Sequence, residues 1–315
     1  MLQILTITSP IYLIIALGYL VVRLGYFNKT EVRAMGRFIF MVAMPALLFN
    51  VLVDQHASVE IEWAYVLVYA IGSMLALTSM TAYTRFIRRK PVATSSIQGM
   101  ASAAANTAFI GFPILYPLFG PTAAVGLAMC MIVENILVMP LGLAYADSQE
   151  AEGHMAKAFL QSLLSLLRNP LLWGMGLGLL FNTFGWLLPA VPERMVQMLA
   201  QIASPLALFV VGGSLVGLQI GHQLRDIFTV VGAKLFLHPL LVALALLFFP
   251  SLDSALAITA VVFAAMPTAA LVTVLAQRYG EESFAAGVLL VATSLSFFTI
   301  TLLLLVATRL WPVAL

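Results

Sequence analysis

Residues 104–113 read Ala104-Ala105-Asn106-Thr107-Ala108-Phe109-Ile110-Gly111-Phe112-Pro113, which places an amide, a hydroxyl, a glycine and a proline near the middle of an apolar run. That combination predicts a helix that is interrupted or strongly bent. A shift of 160 positions lays the start of this stretch on Ala264-Ala265-Met266-Pro267-Thr268-Ala269, again close to the centre of an apolar run. The same shift brings Pro10 onto Pro170, Gly18 onto Gly178, Gly25 onto Gly185, Pro45 onto Pro205 and Gly120 onto Gly280. Rare backbone punctuators coinciding at one spacing mark an internal repeat.

The chain is 62% hydrophobic and 9% charged, where a soluble domain carries about 25% charged residues. Apolar runs of about 20 residues cross a bilayer as helices rather than as short alternating strands. The sequence therefore predicts an all-α integral membrane protein with ten spans: 4–24, 36–53, 63–84, 95–118, 121–145, 169–188, 195–218, 227–249, 253–276 and 284–308. They divide into a first five-helix repeat, 1–145, a cytoplasmic linker, 146–165, and a second repeat, 166–315. Five is odd, so the second repeat sits upside down, the arrangement of many secondary transporters. Residues 1–10 lack a basic leader, and the first helix is expected to stay in the mature protein. The lone cysteine, Cys130, permits no intramolecular disulfide.

Twelve of the fifteen Lys and Arg fall on one side of such a topology, among them Arg23, Arg37, Arg85, Arg88, Arg89, Lys90, Arg225 and Arg278. The positive-inside rule makes that side cytoplasmic and turns both termini outward in a plasma (inner) membrane. Within the linker region, Leu160, Leu163, Leu164 and Leu167 share a helical face. They suit either an interfacial helix or an extension of the sixth span.

Spans 4 and 9 run in opposite directions, so their broken segments can cross, each leaving a half-helix whose N-terminus points at the crossing. Pro267 suits the first position of such a half-helix. Two N-termini supply partial positive charge that suits a carboxylate. The bland alternative is that proline and glycine only kink these helices or let them pack. Glu134, followed by Asn135, and Lys234 with His238 are ionisable groups well inside spans, which is costly to arrange. Glu134 either exchanges protons or coordinates a cation during transport, or it is a static hydrogen-bond partner. Lys234 either meets a substrate carboxylate, pairs with Glu134, or snorkels to the headgroups. Asn50, Ser204 and Ser214 are secondary candidates for lining a cavity. No cofactor, metal site or nucleic-acid partner is indicated, and the absence of a Gly-rich Lys-Ser/Thr loop argues against ATP hydrolysis within the chain. An intramembrane hydrolase would need a nucleophile with a base, and only His238 and a single Glu134 are available.

Asn106 to Pro113 with Phe119-Gly120, and Met266-Pro267 with Tyr279-Gly280, resemble the two crossover regions of the auxin efflux carrier family, which includes plant PIN proteins and bacterial malate or malonate permease-like proteins. Pro10 to Arg23, Met44 to Phe49, Asn169-Pro170 and Lys234 to Pro239 are similar as well, so the resemblance spans the chain. It implies ten helices forming a scaffold domain and a transporter domain with crossed helices 4 and 9, transport of organic acid anions, and often a homodimer. Asn106, beside Thr107, carries over as a substrate contact, and Pro267, between Met266 and Thr268, as the second crossover proline. Plant members have a proline where Ala105 stands, which leaves Gly111 and Pro113 to make the first break. The short central loop points to a bacterial chain. The expectation is a secondary transporter for a small mono- or dicarboxylate, working by alternating access at the crossing. Proton coupling through Glu134 is the first expectation for its driving force and potential-driven uniport the second. A membrane-embedded ligand sensor without transport is the alternative.

Overall fold

The computed structural model describes residues 2–53, 62–148, 169–218 and 223–310. Among these residues the architecture is helical. The helices are α1 (Leu2–Arg23), α2 (Lys29–Leu52), α3 (Trp63–Ile87), α4 (Val92–Ala103), α5 (Thr107–Phe119) and α6 (Pro121–Asp147). They continue with α7 (Pro170–Phe184), α8 (Ala190–Ser214), α9 (Leu224–Leu246), α10 (Ser254–Ala264), α11 (Ala270–Gln277) and α12 (Glu282–Leu310). Six of them, α2, α3, α6, α8, α9 and α12, are long and apolar enough to cross a membrane, while α1, α5, α7 and α10 contribute shorter apolar stretches. The chain is a multi-pass helical membrane protein. Most of the expected linker, with Lys157, Arg168 and the leucine face from Leu160 to Leu167, lies outside the described residues.

Local sequence sets the helix ends. Asn28 caps α2 by accepting from the backbone N–H groups of Thr30 and Glu31, and Glu31 returns a bond to the Asn28 N–H at 2.7 Å. That reciprocal box satisfies donors a helix start otherwise leaves orphaned. Gly25 and Gly185 follow α1 and α7 with φ of 83° and 64°, and Gly120 and Gly280 follow α5 and α11 with φ of 51° and 70°. Both pairs are 160 residues apart, so matching positions share a positive φ that favours glycine.

Prolines shape the helix interiors. Pro45, Pro113, Pro140 and Pro239 each follow by two residues a single π turn, at Ile39–Ala43, Thr107–Gly111, Glu134–Val138 and Ala233–Leu237. A proline ring collides with the carbonyl four residues back, and the wider turn gives that carbonyl room. Two intramembrane charges, Glu134 and Lys234, lie within such turns.

Two compact units result. Unit 1 comprises Met1–Ile61, Ala108–Ala128 and Leu166–Gly217; unit 2 comprises Glu62–Thr107, Met129–Ser165 and Leu218–Leu315. Each draws on both halves of the sequence. In unit 1, α1 packs on α8 and α7 packs on α2. A Cβ added to Gly18 would land on the Phe209 carbonyl, and one added to Gly178 would lie 3.0 Å from the Phe49 carbonyl oxygen. Phe49 and Phe209 are also 160 apart, so the halves make one contact twice with the roles exchanged. In unit 2, α3 packs against α4 and α9. Tyr65, Tyr69, Ile97, Met100 and Phe263 fill its interior.

Candidate functional site

α10 ends at Ala264, just ahead of Met266-Pro267, where no π turn makes room for the proline as it does at Met44-Pro45, Met139-Pro140 and His238-Pro239. α4 ends at Ala103 with no such signal, and Ala104 turns extended at φ −80° and ψ 128°. The first break is held from outside its own segment. The Asn106 N–H donates to the Pro267 carbonyl at 2.8 Å, and the Ala269 N–H donates to the Ala104 carbonyl at 3.2 Å, forming an antiparallel bridge between Ala105 and Thr268.

Two expectations are corrected here. The first interruption falls at residues 104–106, ahead of Gly111 and Pro113, which lie in an unbroken helix because the π turn accommodates the proline. Pro267 does not open the second half-helix: α11 begins at Ala270, with Pro267 in the extended stretch as a hydrogen-bond acceptor.

Broken helices bare backbone groups that apolar surroundings make costly, so each needs a partner. The Thr268 hydroxyl donates to the Ala101 carbonyl at 2.7 Å and Lys234 Nζ to the Ala264 carbonyl at 2.8 Å, which covers the last turns of α4 and α10. Glu134 Oε1 accepts the Ala105 N–H at 3.1 Å and the Tyr69 hydroxyl at 2.9 Å. Lys234 also donates to His238 Nδ1 at 2.8 Å, which leaves Nε2 to carry the ring proton and donate to Ser73 Oγ at 2.9 Å. The Tyr69 and His238 rings sit 5.8 Å apart, linking the groups at the two breaks into one buried cluster within unit 2.

Lys234 and His238 are fully buried and Glu134 is 6% exposed. Lys234 therefore turns inward to the Ala264 carbonyl and does not snorkel. Nor does it pair with Glu134: the ion pairs among the described residues join Arg88 and Lys90 to Asp226, and Arg278 to Asp147. Asn135 bonds within its own helix, to the Met131 carbonyl. Met266 is fully buried. Asn106 and Thr107 are mostly buried, and no hydrogen bond from a described residue reaches the Asn106 carboxamide or the Thr107 hydroxyl; the fully sealed side-chain atoms without a partner among the described residues are instead Gln98 Nε2 and the Thr293 and Thr301 hydroxyls.

Unit 2 thus gathers Asn106, Thr107, Met266, Pro267, Thr268, Glu134, Asn135, Lys234 and His238. Asn50, Gly111 and Pro113 belong to unit 1, as do Ser204 and Ser214, the latter bonded to the Val211 carbonyl in its own helix. Sequence reasoning missed Tyr69 and Ser73. Their signal was a polar stripe on α3, Tyr65, Tyr69 and Ser73 at four-residue spacing, with the Tyr65 hydroxyl 3.2 Å from Cys130 Sγ. Ser73 beside His238 is a hydroxyl next to a base, but both are sealed from solvent. No cluster of three metal-binding side chains occurs among the described residues.

A family model described as "Membrane transport protein" matches residues 4–304. The "Putative malonate transporter" of Rhizobium meliloti (strain 1021) is 31% identical over 309 residues, 96% of each chain. An "Uncharacterized transporter" of Methanothermobacter thermautotrophicus is 27% identical across 98% of this chain and 97% of its own. The mouse "Lysosomal cholesterol signaling protein" is 27% identical over 72% of this chain but only 28% of its own length. Matched from end to end of its helical core, and carrying both interrupted segments, the chain belongs to the membrane transport protein family, the auxin efflux carrier family that its motifs resemble.

Proposed function

We propose that this protein is a secondary transporter for small organic acid anions, mono- or dicarboxylates, which bind where the two interrupted segments cross. The carrying observation is the bond from the Asn106 N–H to the Pro267 carbonyl, beside the Asn106 carboxamide and the Thr107 hydroxyl, to which no described residue bonds. With the α4 and α10 carbonyls already covered by Thr268 and Lys234, the helix starts at Thr107 and Ala270 bias the crossing toward a negative ligand. The name of the rhizobial relative supports a dicarboxylate such as malonate.

The wider frame is ten spans in two inverted five-span repeats. The matched left-handed glycines and the exchanged Gly18–Phe209 and Gly178–Phe49 contacts support it. Unit 2, which carries the crossing, fills the place of the transporter domain and unit 1 that of the scaffold. Transport proceeds by alternating access across an inner membrane, with both termini outside. Of the two roles open to Glu134 we assign the static one, since a single carboxylate oxygen takes both a backbone and a phenolic donor. Substrate gradient and membrane potential then drive flux.

The test is uptake of labelled malonate and malate into proteoliposomes under imposed substrate, potential and proton gradients. Saturable flux that follows the substrate or potential gradient is expected; saturable binding with no flux under any gradient would sink the proposal. That second outcome would favour a ligand sensor, a reading supported by the name of the mouse relative.

A further inference from the structure

Helix α9 carries a feature the transport site does not use. Gly232 lies on its lipid-facing side, and a Cβ placed there would meet nothing within 4 Å. On one side of this notch is an apolar groove of about 540 Å³ between α3 and α9, lined by Met80, Tyr83, Thr229 and Leu240 among others. On the other is a groove of about 260 Å³ between α9 and α12, lined by Phe228, Leu235, Leu295 and Phe298 among others. Gly232 and Phe236 line both, so two apolar grooves flank one helix.

The mouth of this pair is basic. Arg225 stands three and four residues before Phe228 and Thr229 and seven before Gly232, which places it on the same helical face one turn beyond the grooves. Its neighbour Asp226 is already occupied by Arg88 at 3.0 Å and Lys90 at 2.7 Å. Arg225 and Arg89 are exposed, and neither joins an ion pair among the described residues. Arg85 donates to the Lys90 carbonyl at 3.1 Å, and Arg89 and Arg225 are chain neighbours of this cluster, so five basic residues and the paired Asp226 gather at this end. Basic clusters at the membrane surface attract anionic headgroups, and basic pockets between spans hold them.

We propose that unit 2 binds one anionic diacyl phospholipid, its phosphate on Arg225 and its two acyl chains in the grooves either side of Gly232 and Phe236. A zwitterionic lipid offers the same tails but no net charge for the basic mouth, so the site selects by headgroup. The proposal is independent of the organic anion bound at the crossing.

The experiment uses the full-length protein, delipidated in detergent, titrated with phosphatidylglycerol or phosphatidylcholine and read by native mass spectrometry. Phosphatidylglycerol is expected to bind more tightly and at one copy. Arg225→Gln should weaken it about fivefold and leave phosphatidylcholine unchanged, the size expected for one basic residue near an anionic surface. Gly232→Leu, whose Cβ has nothing within 4 Å and whose longer side chain extends into the notch, should weaken both lipids. Unfolding of both variants in lipid-free detergent should match wild type. Equal affinity for the two lipids, or phosphatidylglycerol binding unaffected by either folded variant, would overturn the proposal. Should Gly232→Leu fail to fold, the Arg225→Gln comparison decides alone.

Discussion

Replacing Glu134 by leucine removes in one step the acceptor for two hydrogen bonds, from the Ala105 N–H at 3.1 Å and the Tyr69 hydroxyl at 2.9 Å. Glutamine keeps an acceptor at the same reach. Both variants lose the same formal charge near Lys234, so the difference between them isolates the hydrogen bonds. Side-chain hydrogen bonds within membrane proteins are worth about 0.6 kcal/mol on average and up to about 1.7. A buried donor left without any partner costs about 1–3 kcal/mol. Ala105 lies in the extended bridge, so no helical carbonyl can retake its N–H, whereas the Tyr69 hydroxyl can rotate. The leucine variant should therefore be less stable than the glutamine variant by about 2–4 kcal/mol. Reversible unfolding of purified protein in mixed micelles measures this, with flux against pH recorded beside it. Glutamine should preserve the shape of the pH profile. Equal stabilities of the two variants, together with a pH dependence abolished by glutamine, would refute the static role and restore proton exchange at this position.

Three further outcomes follow from the same geometry. Asn106→Ala should lower malonate affinity about tenfold, the equivalent of one polar contact, while leaving unfolding in detergent near wild type; unaltered transport would remove this side chain from the site. Gly18→Ala should destabilise unit 1 by about 1–3 kcal/mol, since the new methyl would occupy the Phe209 carbonyl, whereas Gly176→Ala, with nothing within 4 Å, should be neutral or stabilising in an unfolding titration. Thr268→Val should cost about 1 kcal/mol by orphaning the Ala101 carbonyl, and Thr268→Ser should recover most of it; a valine variant as stable as serine would contradict that bond.

Much of this organisation could be read from residue order, because the features that set it are local. Met266-Pro267 marks the end of α10, although Met44-Pro45 and Met139-Pro140 stay helical behind a π turn, and the runs that became α2, α3, α6, α8 and α9 are long and apolar. The first break was located less well for a physical reason. Nothing within Ala104-Ala105-Asn106 stops a helix; the interruption is held by the Pro267 carbonyl and Ala269 N–H from a segment in the other half of the sequence. Local signals also misdirected attention to Gly111 and Pro113, where a π turn absorbs the proline without a break. Glu134 and Lys234 stood out as expensive charges, but each has a backbone partner that carries no sequence signal, the Ala105 N–H and the Ala264 carbonyl, beside the side chains of Tyr69 and His238. Tyr69 and Ser73 escaped notice because aromatic and hydroxyl residues are ordinary in membrane helices. The compact units, each assembled from both halves, depend on contacts such as Gly18 with Phe209 that no spacing rule locates.

The central claim is that the paired breaks present Asn106 and Thr107 to an anion. An electron cryo-microscopy map of the protein with malonate tests it most directly. The account predicts density for the ligand within hydrogen-bonding distance of the Asn106 carboxamide, with residues 104–106 and 267–269 extended and paired. Malonate bound elsewhere, or either segment continuing as unbroken helix through the crossing, would contradict it.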